Sequence, residues 1–153
     1  MRYLAIDFGD KRTGIALGDD ETFLVTPLDV IECPSGLCGG EALIDLLTKA
    51  FDDAVSPHAR CELVVGLPVN MDGTEGPRAK AVRALADKLG SRSGRRVHLQ
   101  DERLTSAAAD WSMAQSGLTH DQKKMRRDAL AASAILSDFL SERKRSKPEG
   151  DTD

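Results

Sequence analysis

Apolar residues fall first into short runs and later into helical spacing. Tyr3-Leu4-Ala5-Ile6 and Thr13 to Leu17 are two such runs separated by Gly9-Asp10, which predicts a β-hairpin. Phe23 to Ile31 predicts a third strand, with Pro27 marking an edge or a bulge. After the loop Pro34 to Gly40, Ala42, Leu43, Leu46, Leu47 and Ala50 recur at helical spacing up to about Val55. Leu63 to Val65 reads as a short buried strand. The following Gly66 to Gly76 is too rich in Gly, Pro and Asn for regular structure. Pro77 opens a second helix, with Ala79, Val82, Ala86 and Leu89 on one face and Gly90 expected to stop it. Val97 to Gln100 is a fifth strand, and Ser106 to Gln115 a helix ended by Gly117. A last helix starts at Thr119, which has capping-box spacing to Gln122, and continues to about Arg143. Residues 144–153 form a polar tail expected to be disordered, leaving residues 1–143 as a single domain.

This order predicts an α/β fold: a five-stranded mixed sheet, antiparallel over strands one to three with parallel additions, flanked by helices. Ligands of open sheets bind at strand ends, which singles out the ends of strands one and five.

Composition narrows the function classes. A chain of 153 residues with 41% hydrophobic and 30% charged residues suits one soluble domain with a real core. No apolar run is long enough to span a bilayer and the start lacks signal-peptide architecture, so a cytoplasmic protein with no membrane partner is expected. Cys33, Cys38 and Cys61 lack zinc spacing and read as reduced structural thiols. A net charge of -4 argues against indiscriminate coating of nucleic acid. The cations are nevertheless clustered, at Lys11-Arg12, at Arg92, Arg95 and Arg96, at Lys123, Lys124, Arg126 and Arg127, and from Arg143 to Lys147.

The carboxylates carry the candidate chemistry. Asp7 ends strand one, Asp101 and Glu102 end strand five, and Asp128 shares a helical face with Met125, Ala132, Ile135 and Phe139. Each has a local alternative: Asp7 as a turn aspartate, Asp128 as an ion-pair partner of Arg103 or Arg127. Three carboxylates gathered in a half-buried site cannot all stay ionised without cations, and hard oxygen ligands suit Mg²⁺ or Mn²⁺. Adjacent strand residues face opposite sides, so only one of Asp101 and Glu102 is expected to be a ligand. Lys11, Arg12, Lys123, Lys124, Arg126 and Arg127 are candidates for neutralising phosphates. Arg103 either clamps a phosphate or pairs with a carboxylate. Asn70 and the backbone NH groups of the Gly66–Gly76 loop could close over a nucleic-acid strand.

Four blocks also resemble a known family: DFGDKRTGIALGD at 7–19, VVGLPVNMDGTEG at 64–76, DERLTS at 101–106 and DALAASAIL at 128–136. In the same order they are similar to the blocks of the YqgF/RuvX family of Holliday junction resolvases, and the match extends to about Leu140. Where the family often has a second threonine, this chain has Ser106, which keeps the hydroxyl. The resemblance implies an RNase H-like fold and a divalent-metal nuclease associated with processing of the pre-16S rRNA 5′ end. It also implies Asp7, Glu102 and Asp128 as the catalytic, metal-holding set, with Glu102 preferred to Asp101. The alternatives are cleavage of four-way DNA junctions, which calls for a two-fold homodimer, and a non-catalytic RNA-binding factor in ribosome assembly. Asp7-Phe8-Gly9 also looks like a phosphate motif of actin-like ATPases, which need a second domain to enclose a nucleotide.

Overall fold

The structure is a computed structural model that describes residues 1–9, 11–33, 40–56, 59–101 and 120–146, with the side chains of 120–128 and 145–146 outside that description. The first two apolar runs form strands β1 (Arg2–Phe8) and β2 (Arg12–Asp19), paired antiparallel with Leu4 opposite Leu17 and Asp7 opposite Gly14. The turn between them is so tight that a Cβ on Gly9 would stand 2.4 Å from the Arg12 carbonyl oxygen, which explains the glycine beside Asp7.

Strand β3 (Val25–Glu32) starts two residues later than the pattern suggested, because Leu24 N–H is taken by the Thr22 hydroxyl at 3.3 Å inside the connecting turn. It forms the edge of the sheet. Its register on β2 shifts between Ile15, opposite Asp29, and Ala16, opposite Pro27. Proline, which has no N–H to donate, sits where edge position and bulge both tolerate it.

Helix α1 (Glu41–Ala54) leads to β4 (Cys61–Leu67), which lies parallel to β1 and is longer than the apolar core of its sequence indicated. Helix α2 (Pro77–Ser93) does not stop at Gly90. There a Cβ would lie 3.2 Å from Val97 Cγ2, so this glycine makes room for the next strand, and Gly94, left-handed at φ 69°, ends the helix instead. Strand β5 (Val97–Asp101) pairs parallel to β4. The helix expected over 106–115 lies outside the described residues. The last helix, α3 (His120–Ser146), runs past Arg143. Its final turns are held by Arg143 over the Tyr3 and Phe139 rings, at 5.7 and 5.5 Å, and by Lys144 over Phe23 at 4.9 Å.

The sheet order is β3-β2-β1-β4-β5, mixed as anticipated. Side-chain alternation along β1 divides the interior in two. Leu4, Ile6 and Phe8 pack with α1 and α2 through residues such as Leu47, Phe51, Leu85 and Leu89, whereas Tyr3 and Ala5 pack under α3 against Ala132, Ile135, Leu136 and Phe139. Each fully buried large aliphatic or aromatic side chain contributes roughly 1.5–3 kcal/mol, and both faces of β1 are supplied with them. No described helix is long and apolar enough to cross a membrane.

Candidate active site at the end of the central strand

Asp7 is the last residue but one of the central strand and the first polar one after four buried neighbours, Tyr3 to Ile6. Alternation puts it on the α3 face with Tyr3 and Ala5, as the sequence implied. It is half-buried. Its partner on β2 is Gly14, and one step beyond the last β1–β4 pair, Ile6 with Val65, it is level with Gly66 on β4. Glycines at both flanking positions put no Cβ next to Asp7 across the strands. Its carboxylate is a hard oxygen donor suited to a divalent ion.

Strand β5 settles a question of face. His98 lies with Tyr3 and Phe139, at ring separations of 6.1 and 5.0 Å, and the Gln100 amide donates to Glu142 Oε1 of α3 at 3.1 Å. Val97 packs into the core under α1 and α2. Asp101 alternates with Gln100, so it belongs to the α2 face, is exposed, and is not brought together with Asp7. Glu102 and Arg103 lie outside the described residues. Position 128 lies in α3 about one turn before the fully buried Ala132, on the helical spacing of Ile135 and Phe139. Lys123, Lys124, Arg126 and Arg127 occupy the first turns of the same helix, their side chains outside the description.

Lys11 is exposed in the β1–β2 turn, while Arg12 Nε donates to Glu32 Oε1 at 3.3 Å. The Gly66–Gly76 segment is more ordered than its composition suggests. Asn70 Nδ2 donates to Thr74 Oγ1 at 3.0 Å, Thr74 Oγ1 to Asp72 Oδ1 at 2.6 Å, and Asn70 N to Thr74 O at 2.8 Å. Asn70 thus braces its own loop. Arg78 escaped the sequence reading. From the second position of α2 its guanidinium reaches the Phe8 carbonyl, 3.5 Å away, beside Asp7. The only signal was its place directly after the proline that opens the helix. Cys33 and Cys61 are buried and form no disulfide among the described residues, and burial pushes the Cys61 thiol above its ordinary range. Among the described residues no three His, Cys, Asp or Glu side chains come together as a metal site.

An open mixed sheet of this order, with an aspartate ending its central strand and a long helix across one face, defines an RNase H-like fold of the resolvase type. It is similar to a Thermus thermophilus RuvC in complex with Holliday junction substrate (TM-score 0.56, 14% identity, 95% of this chain and 97% of that one). It is also similar to the fowlpox virus Holliday junction resolvase (TM-score 0.53, 11% identity, 94% and 99%). The family model described as "RuvX: Holliday junction resolvase" matches residues 1–142, and the chain belongs to that family. Relatives bearing the name "Putative pre-16S rRNA nuclease" include one from Roseiflexus sp. strain RS-1, 37% identical over 91% of this chain and 93% of that one. Another, from Chloroflexus aurantiacus, is 37% identical over 95% and 89%. The names point to one class of activity, hydrolysis of nucleic acid.

Proposed function

We propose that this protein is a divalent-metal-dependent nuclease that trims the pre-16S rRNA precursor at its 5′ end, in the cytoplasm. The observation that carries the reading is the half-buried Asp7 at the end of β1, set between Gly14 and Gly66 on the face that α3 covers. The names of the relatives support the rRNA precursor as substrate.

Asp7, Glu102 and Asp128 form the proposed ligand set. The placement of Asp101 on the opposite face supports Glu102, since the residue after Asp101 in an extended chain returns to the side of Asp7. Mg²⁺ or Mn²⁺ held there would supply an activated water and offset charge on the leaving oxygen. Lys11 and the basic positions 123 to 127 neutralise phosphates beside the site and carry no sequence information. Arg12 is divided between that task and Glu32, and Arg103 is assigned to the phosphate near Glu102. Arg78, anchored beside Asp7, holds a positive charge at the same strand end.

The test is incubation of the wild type and Asp7→Asn with labelled rRNA precursor and with a four-way DNA junction, each with and without Mn²⁺. The reading expects Mn²⁺-dependent cleavage of the precursor by the wild type and its loss in the variant. Cleavage of the junction alone would transfer the activity to branched DNA, and unchanged cleavage by Asp7→Asn would remove the metal role.

A further inference from the structure

The surface arginines of the α1–α2 side find carboxylates: Arg83 pairs with Glu75, and Arg92 with Glu41 and Asp45. Those at the opposite end of the sheet from Asp7 do not. Arg2, Arg60, Arg95 and Arg96 gather where β1, β4 and β5 begin, and among the described residues none has a carboxylate within ion-pairing distance. In a chain of net charge -4 these four guanidinium groups stand together without direct ion pairs, although Asp19 and Glu21 line the adjoining cleft beside Arg2 and Arg60.

Arg60, Arg95 and Arg96 line a cleft of about 330 Å³ whose walls also include Cys61 and Glu62. Its frame is fixed. The Arg95 guanidinium donates to the carbonyls of Ala59 and Cys61, both at 3.0 Å, and to that of Ser56 at 3.4 Å, bracing the chain that carries Arg60 while its charge stays unneutralised. The Arg96 carbonyl accepts from Leu63 N at 2.8 Å, which ties the start of β5 to β4. The one carboxylate in the wall, Glu62, lies 2.8 Å from His98 Nε2. Arg60 and Arg96 are exposed.

We propose that this cleft is a second phosphate-backbone site, one that grips a nucleic-acid segment remote from the scissile bond. The inference rests on the nuclease reading above and deepens it by specifying the substrate as a polymer long enough to cover both ends of the sheet. Arginine suits the task because its planar fork meets phosphate oxygens in pairs. Arg2, which marks the cleft end of β1, and Asp7 are five residues apart on one strand, about 17 Å at ~3.3 Å per residue. Along a nucleic-acid strand at ~3.4 Å per step that is about five steps.

The experiment measures binding of wild type and the double variant Arg60→Ala/Arg96→Ala to labelled RNA hairpins with duplex stems of about 3 and about 20 base pairs, the shorter too short to span the two ends, over a salt series, without added divalent ion, alongside cleavage by the wild type with Mn²⁺. On the long duplex the variant is expected to lose roughly tenfold in affinity at ~0.1 M salt, and its salt slope to flatten by about two. On the short duplex the two proteins bind alike. Equal binding of the long duplex by both proteins, equal losses on both duplexes, or capture of an acidic peptide in preference to RNA would overturn the second site. Failure of the wild type to cleave any nucleic acid would instead count against the nuclease reading, and the length comparison would still decide the cleft.

Discussion

The phenol of Tyr3 is buried under α3, with Phe139 and His98 edge-on to its ring and Arg143 above it. Burial pushes its pKa above the ordinary 10, and the Arg143 cation works in the opposite direction. The fold therefore favours the neutral phenol. Stability from this group is full below pH 10 and is lost as pH rises through the higher folded value. Tyr3→Phe removes that dependence, so its urea midpoint should fall less than that of the wild type between about pH 8 and about pH 11. An equal fall in both proteins would place the alkaline sensitivity elsewhere. At this scale the sequence was only partly informative. That Asp7 shares a face with Tyr3 follows from alternation alone. That Asp101 turns away needed the contacts of His98 and Gln100 with α3, which no local pattern encodes.

Elements were legible where periodicity decides and less so where tertiary contacts set the ends. The β1–β2 hairpin and the apolar faces of α1 and α2 follow from spacing, because each buries one side of a regular repeat. The ends of α2 and α3 do not. Gly90 reads as a stop signal in isolation, but it is a space for Val97, and Arg143 and Lys144 extend α3 because aromatic rings lie beneath them. The glycine-rich loop after β4 looked flexible by composition, whereas Asn70, Asp72 and Thr74 knit it together. Close contact between α3 and the sheet gives a direct test. A Cβ on Gly18 would lie 2.8 Å from Leu136 Cδ2 and 3.2 Å from the Leu24 carbonyl oxygen. Gly18→Val should cost about 1–3 kcal/mol by overpacking, read as a lowered urea midpoint, and should reduce cleavage by shifting the helix that carries position 128. A variant as stable as the wild type would mean that α3 sits less firmly on β2 than these distances imply.

For the whole molecule, Asp7 and Asp128, the outermost members of the proposed ligand set, are 121 positions apart in the chain, so only folding could assemble the set, and on that proposal its assembly opposes folding until cations arrive. The order β3-β2-β1-β4-β5 makes β1 central and puts its end on the same side of the sheet as the end of β5, one strand away, while α3, which starts at His120 and carries position 128, covers the Asp7 face. Like charges brought together there raise the free energy of the folded state, and a divalent ion that binds the folded but not the unfolded chain lowers it again. At a concentration about one hundred times its dissociation constant, that ion contributes about 2.7 kcal/mol. Mn²⁺ should therefore raise the thermal midpoint of the wild type, whereas Asp7→Asn should melt at an equal or higher temperature without metal and respond little to Mn²⁺. The two halves of that result exclude different errors. A metal-free variant less stable than the wild type would make Asp7 a structural residue of the hairpin, and a full Mn²⁺ response in the variant would place the ion away from the end of β1.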